Sequence, residues 1–422
     1  MIASEAMKNL SVDADRLWST LMEMGKIGGT PAGGSRRLAL SREDGEARDL
    51  FVRWAEDAGC TITVDRVGNI FARRAGADDS QPPVCIGSHL DTVPTGGKFD
   101  GVFGVIAGLE VLRTLDDAEV RTRAPLEVIV WTNEEGARYS PVTLGSLAFI
   151  GAHSVDYALG RMDADDISVR EALAKIGYDG SAEVGNRPIG AYFEAHNEQG
   201  PLLEESGEVI GVVTGSYASR YFVITVKGMA AHVGPTPMAR RKDAMVGAAK
   251  AILEVNRVGN AYGPDGRSNA PHIEVYPNVR GVIPDEVRVS CDLRHREHTT
   301  IDEMEKDLRN ALARLGEKLD MDFELEPYFA WGPMSFDPEL AELLRNTADE
   351  LGYGRQDLQI IAGHDAVPMT EVTQSGLILI PSRDGLSHNE TEYSAPEHVT
   401  AGANVLLHAA LAKAEVVADG DT

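Results

Sequence analysis

Cysteine is nearly absent from this sequence: Cys60, Cys85 and Cys291 are its only three, odd in number, far apart and without a CxxC spacing. That excludes a disulfide framework and a thiolate zinc site, and the thiols read as small buried hydrophobes. Basic residues are scarce beside acidic ones, 40 Lys and Arg against 66 Asp and Glu, for a formal net charge of −26. So negative a chain is repelled by a phosphate backbone and by an anionic membrane surface, so neither nucleic acid nor membrane is expected as a partner. No apolar run reaches bilayer-spanning length, and the start, MIASEAMKNLSVDADRLW, lacks a basic segment, an apolar segment and a cleavage site. A cytoplasmic location is therefore expected. What is present is the mixture of a globular protein, 43% apolar and 25% charged. At 422 residues the chain is too long for one ordinary core, so two domains are expected.

The first part of the chain alternates helix and strand. Ser11 to Met24 and Ser41 to Ala58 read as helices opened by Ser caps, and Arg66 to Arg73 as a strand. Val84 to Ser88 is a short apolar strand ending at His89. Gly101 to Leu115 has a helical apolar period, and Leu126 to Trp131 is an apolar strand. Such alternation predicts an α/β fold, a mixed and largely parallel sheet flanked by helices, with ligands beyond the carboxyl ends of its strands. From Ser216 the pattern changes. Strands over Tyr221–Lys227, Ile273–Tyr276, Val287–Leu293 and Phe323–Pro327 alternate with helices over Met238–Val258 and Ile301–Leu319. The order β-α-β-β-α-β predicts a ferredoxin-like α/β domain over 216–331, inserted into a split domain of residues 1–215 and 332–422. The alternation then resumes through Leu377–Ile380 and a last helix from Pro396.

The densest chemistry lies in GSHLDTVPTGGKFDG, which carries His89, Asp91 and Asp100. Imidazole and carboxylate suit zinc, manganese or similar divalent ions. The H-x-D spacing suits Asp91 as an outer partner whose carboxylate accepts the second N–H of His89. In WTNEEGARY, Glu134 and Glu135 close the apolar strand, so one can ligate a metal while its neighbour handles a proton. Elsewhere such a pair would read as an exposed acidic turn. His196 in AHNEQGP and His388 in GLSHNETEY would be unremarkable singly. Of the eleven histidines, His153, His272, His295, His298, His398 and His408 are expected to be surface or satisfied core groups.

The stretches GSHLDTVPTGGKFDGVFGV, WTNEEGARY, EAHNEQGPLLEE, GMAAHVGPTPMARRKDA, VIPDEVRVSCDLR, AGHDA and PSRDGLSHNETEY occur in order. Together they resemble the N-carbamoyl-L-amino acid hydrolase, allantoate amidohydrolase and β-ureidopropionase branch of the aminoacylase-like di-zinc peptidase superfamily. The resemblance implies a metal-dependent amidohydrolase with two divalent ions per subunit, zinc or manganese, with cobalt and nickel equally suited to the ligands. His89 and His196 would hold one ion, Glu135 and His388 the other, and Asp100 would bridge them. Glu134 would be the general base, supported by Asp91, and His232 would reach across a homodimer interface to stabilise the oxyanion. The inserted domain would serve as dimerisation domain and lid. Gln199, Arg294, Gly363 and His364 would contact a small substrate bearing a carboxylate. For Arg294, strand alternation leaves a second reading, a surface salt bridge with Asp292. The nearest rival activities are those of an aminoacylase or dipeptidase; a non-catalytic binding protein is the alternative of another class.

The sequence departs from the family pattern at three places. Gly281 stands where the branch carries an asparagine that helps grip the carboxylate; Asn278, three residues away, is a candidate substrate contact but not its equivalent. Ile360-Ile361 replaces the usual Ser-Gly before AGHDA, and Asn197 turns HIEQG into HNEQG. These departures touch substrate identity and leave the ligand residues in place.

Overall fold

In the computed structural model, which describes residues 9–185 and 187–417, the apolar runs form alternating strands and helices. They begin with α1 (Ala14–Met24), α2 (Arg42–Asp57), β1 (Thr61–Val64), β2 (Ile70–Arg74), β3 (Val84–His89), α3 (Val102–Asp117) and β4 (Leu126–Trp131). Short helices α4 (Leu144–Phe149), α5 (Val155–Leu159) and α6 (Val169–Ile176) lead to β5 (Ala191–Asn197), α7 (Leu202–Ser206) and β6 (Ile210–Ser216). Next come β7 (Ala218–Lys227), β8 (Ala231–His232), α8 (Ala244–Ala261), β9 (Arg267–Tyr276), β10 (Val282–Ile283), β11 (Glu286–His295), α9 (His298–Leu319) and β12 (Asp322–Trp331). The last are α10 (Pro338–Glu350), β13 (Arg355–Ile360), α11 (Ala366–Met369), β14 (Ser375–Ile380) and α12 (Pro396–Ala414). The chain divides into two compact units. The second comprises Gly215–Ser335 with Gln359–Ile361, and the first the remaining described residues.

The first unit is built on an eight-stranded sheet of order β1-β2-β4-β3-β5-β14-β6-β13. Its centre, β4, β3, β5 and β14, is parallel, while β1, β2 and β6 pair antiparallel. The four central strands are buried along their whole length, as parallel strands covered by helices must be. Helices α3 and α12 pack on β3, β5 and β14 and on each other, bringing Leu109, Val128, Phe193, Ile378 and Leu406 into one core. This is the mainly parallel, helix-flanked sheet expected from the alternation.

The second unit holds an antiparallel sheet of order β12-β7-β11-β9 in the element order β-α-β-β-α-β, with β8 and β10 forming a separate ribbon. Apolar residues on one face, among them Phe222, Ile224, Val287 and Val289, pack against Ala248 and Val255 of α8 and Ile301 and Leu308 of α9. Among the described residues no helix is long and apolar enough to cross a membrane. The first eight residues, on which the absence of a leader was partly read, lie outside the described residues.

Several boundaries differ from expectation for local reasons. α1 is capped by Asp13, whose carboxylate accepts from Arg16 N–H, rather than by Ser11. The strand expected from Arg66 starts instead at Ile70, because Asp65 accepts from the N–H groups of Val67 and Asn69 and holds a turn there. Thr61–Val64, ahead of that turn, is a further strand. The helix expected from Met238 begins at Ala244. Met238–Arg240 is an isolated 3₁₀ turn, and Asp243 is the cap, accepting from Met245 N–H at 3.0 Å and Val246 N–H at 3.3 Å. Removing such a cap costs about 0.5–2 kcal/mol with alanine but only a few tenths with glycine. Asp243→Ala should therefore speed hydrogen exchange in the first turn of α8 by about 2- to 30-fold, and Asp243→Gly much less. Equal, or absent, effects of the two substitutions would contradict the cap.

Candidate metal centre

β3, β4 and β5 end at the same edge of the first unit's sheet, where crossover loops leave room for a ligand. His89 is the last residue of β3, Glu134 and Glu135 follow β4, and Glu194 and His196 lie on β5. The loop after β3 adds Asp91 and Asp100, and the loop after β14 adds His388. Asp100 sits at the centre. Its Oδ1 lies 3.1 Å from His196 Nε2 and 3.6 Å from His89 Nε2, and its Oδ2 lies 3.3 Å from His388 Nε2. His388 Nε2 is also 3.2 Å from Glu135 Oε2, and His89 Nε2 is 3.5 Å from Glu134 Oε2. One carboxylate thus faces two donor groups, His89–Asp100–His196 and Asp100–Glu135–His388, each with its ligand atoms within 4.8 Å of one another. Glycine at 101 makes the approach possible: its φ is +67°, and a Cβ there would lie 2.3 Å from His89 Nε2.

The histidines are oriented by their own backbone. His89 Nδ1 is 2.9 Å from the carbonyl of Asp91, and His196 Nδ1 is 2.9 Å from that of Asn197. Both rings therefore donate through Nδ1–H and turn Nε2 toward Asp100; Gly101 N lies 2.9 Å from that of His196. An Nε2 lone pair is the form that ligates a cation. The potential of the site points the same way. Burial opposes charge on His89, yet Glu134, Asp100 and Asp91 outweigh it and raise its pKa well above the imidazole range. Burial likewise opposes charge on His388, but Asp100 and Glu135 push its pKa up to about 11. Burial would raise Asp100, but hydrogen bonds from His196, His388 and His89 hold it well below the usual carboxylate range. Burial, reinforced by Asp365, Glu135 and Asp91 and only partly offset by His89, carries Glu134 well above that range. Buried carboxylates in such excess call for positive charge, and a mixed nitrogen and oxygen donor set fits a divalent ion.

A third group, Glu194, His196 and His364, is equally compact. Its carboxylate is already satisfied, Oε1 by the Ser88 hydroxyl at 2.8 Å and Oε2 by Ala366 N–H at 2.7 Å.

Other expected residues behave differently from their sequence reading. The carboxylate of Asp91 does not take the His89 proton: it accepts from Glu134 N–H and Glu135 N–H at 3.2 Å each, leaving its backbone carbonyl for the ring. Gln199 donates to Asp100 Oδ2 at 2.9 Å, and its buried Oε1 has no partner among the described residues. His364 is buried edge-on against the His196 ring, and burial together with the His196 charge keeps its pKa well below the usual value. Gly363 borders Glu134: a Cβ on it would lie 3.9 Å from Oε1.

His232, Asn278, Gly281, Arg294, Ile360 and Ile361 belong to the second unit. His232 is exposed and accepts from Gly234 N–H through Nδ1. Arg294 makes the salt bridge to Asp292 at 2.8 Å and donates to the Ile361 carbonyl at 2.7 Å. Gly281 has open space around a would-be Cβ, but its φ of +92° gives a backbone reason for glycine that the motif comparison had not supplied. Ser387 and Glu392, which tie the His388 loop to Asp100, were missed as site residues although both lie in the GLSHNETEY motif. A cation bound to the folded state at 100 times its Kd stabilises it by about 2.7 kcal/mol. The melting temperature should fall on chelation and recover with Mn²⁺ or Zn²⁺; calorimetry showing no change on chelation of metal-loaded protein would contradict a metal centre.

Residues 85–412 match the model of peptidase family M20/M25/M40. The N-carbamoyl-L-amino-acid amidohydrolase of Rhizobium meliloti is 42% identical over 410 residues, 97% of this chain and 99% of the relative. That of Geobacillus stearothermophilus is 35% identical over 405 residues, 94% and 98% of the two chains. A crystal structure of an amidase of the hydantoinase/carbamoylase family from Burkholderia vietnamiensis matches with a TM-score of 0.93 at 46% identity, over 96% of this chain and 98% of that one. With most of its length matched and its donor groups assembled at the strand ends, the chain belongs to peptidase family M20/M25/M40.

Proposed function

We propose that this protein hydrolyses the C–N bond of an N-carbamoyl amino acid, or of a closely related ureido or amide substrate, with two divalent ions in the site. The observation that carries this reading is the division of Asp100, Oδ1 toward His89 and His196 and Oδ2 toward His388. His89, His196 and Oδ1 would hold one ion, and Glu135, His388 and Oδ2 the other; zinc or manganese suits these ligands, and cobalt or nickel no less. Bound there, such ions supply Lewis-acid polarisation of the carbonyl and acidify water.

The protein's own part is proton transfer and positioning. Glu134, buried beside His89, takes the proton of the attacking water and delivers it to the leaving nitrogen. For an N-carbamoyl substrate, water adds to the ureido carbonyl carbon and the bond to the amino-acid nitrogen breaks. The products are the free amino acid and carbamic acid. Asp91 holds the backbone of Glu134 and Glu135, and so sets where both carboxylates begin. Arg294 receives the substrate carboxylate, with Gln199, Gly363, His364 and Asn278 as further contacts. His232 meets the developing oxyanion from the partner subunit of a homodimer.

The dimer reading is supported by the second unit's surface. β9 pairs only with β11 among the described strands, leaving a free sheet edge, and Ile273, Val246 and Leu253 on β9 and α8 are exposed. An inserted unit acting as dimerisation domain and lid would account for these features.

A panel of N-carbamoyl, N-formyl, N-acetyl and dipeptide substrates should show highest kcat/KM for the N-carbamoyl class; highest turnover of dipeptides would favour the peptidase alternative. Glu134→Gln should keep its metal content and lose about 10²–10⁴-fold in kcat, whereas Glu135→Gln should lose an ion. The opposite pattern, read by elemental analysis and kinetics, would mean the pair is assigned backwards.

A further inference from the structure

The two donor groups are not equally well built. His89 and His196 stand on buried strands, with side chains 2% and 0% exposed. His388 lies on a loop, its side chain is 52% exposed, and its φ is +52°, a left-handed conformation that side chains adopt reluctantly. A strained residue on an exposed loop keeps its place only when its surroundings determine it. Here the determinant is Glu392, 5% exposed. Its Oε1 accepts from Phe99 N–H at 3.0 Å and Asp100 N–H at 3.1 Å, and its Oε2 meets the hydroxyl of Ser387. That hydroxyl is in turn 2.9 Å from Asp100 Oδ2, the oxygen facing His388. The contact is close enough to require glycine opposite: a Cβ on Gly97 would fall 2.1 Å from Glu392 Oε1. Asn389 closes the loop from within, accepting from Thr391 N–H and receiving Glu392 N–H on its carbonyl.

We propose that Glu392 is the positioning residue for the second cation: through Ser387 and the Phe99–Asp100 backbone it fixes Asp100 Oδ2 against His388, and without it that cation is held more weakly while the first is bound as before. The inference rests on the two-ion reading of the site. It follows from the asymmetry of attachment, since both histidines of the first group are held by the sheet whether or not Glu392 is present. Outer partners of metal ligands typically control affinity by about 10- to 100-fold. Glu392→Gln should preserve the arrangement, because its amide oxygen can accept from both N–H groups and its NH₂ can donate to Ser387.

The test is a binding isotherm of Mn²⁺ on chelator-treated full-length protein, free ion read by electron paramagnetic resonance, with Zn²⁺ content by elemental analysis in parallel. Wild type should hold two ions per chain. Glu392→Ala should weaken one of them about 10- to 100-fold and leave the other unchanged. Glu392→Gln should restore wild-type binding. Two unchanged affinities in Glu392→Ala, equal weakening of both, or failure of Glu392→Gln to rescue would each overturn the proposal. If Glu392→Ala does not fold, Ser387→Ala decides: it should weaken the same single ion, and unchanged binding would overturn the proposal. A wild type holding fewer than two ions would instead reject the two-ion reading and the inference with it.

Discussion

Everything at this site depends on one carboxylate being shared by three imidazoles. Asp100 is buried, an environment that by itself would protonate it, and the convergence of His89, His196 and His388, with Gln199 and Ser387 also on Oδ2, favours its charged form. That convergence draws on chain segments far apart in sequence. β3 and β5 place two rings at parallel strand ends, and the loop after β14 brings the third. The glycine after Asp100 lets the His89 ring lie against the start of α3. A mainly parallel sheet suits the task because its crossover loops collect at one edge. The packing of α3 and α12 on that sheet then makes the loops' starting points rigid.

The electrostatic character follows from the same geometry. Asp91, Asp100, Glu134 and Glu194 are all buried, and Glu135 joins them within reach of His388. Each must be stabilised by a donor or by positive charge, because an unpaired buried carboxylate is very costly. Asp91 is satisfied by two backbone N–H groups and Glu194 by a hydroxyl and a backbone N–H. For Asp100, Glu134 and Glu135 the partners are chiefly the imidazoles, whose Nε2 atoms point into the space between them. Fully satisfied carboxylates surround a centre whose remaining charge has no compensation but protons or cations. In this way the outer residues define which groups are left to ligate.

Much of this was legible in the sequence, and the limits have physical causes. Apolar runs ahead of His89 and of Glu134–Glu135 marked two of the ligand-bearing strands, whereas β5, with the polar Glu194 and His196 within it, showed no such run. The alternation after Ser216 marked the change from a parallel to an antiparallel sheet. The turn at Asp65–Asn69 and the late start of α8 at Ala244 were hidden, because both are set by one carboxylate bonding to local N–H groups, which no hydrophobic period registers. H-x-D spacing suggested contact between His89 and Asp91 correctly, but could not tell carboxylate from carbonyl. Ser387 and Glu392 escaped notice because their role lies in bonds to a loop almost three hundred positions away in the chain. Gly281 looked like a lost side chain; its positive φ shows a conformational demand as well.

The most direct test of the account is anomalous diffraction from crystals of the metal-loaded protein, recorded on both sides of the absorption edge of the bound metal. Two peaks are predicted, about 3.5–4 Å apart, one among His89, His196 and Asp100 Oδ1 and the other among Glu135, His388 and Asp100 Oδ2. A single peak, or a peak among Glu194, His196 and His364, would contradict the claim that Asp100 is shared between two cations.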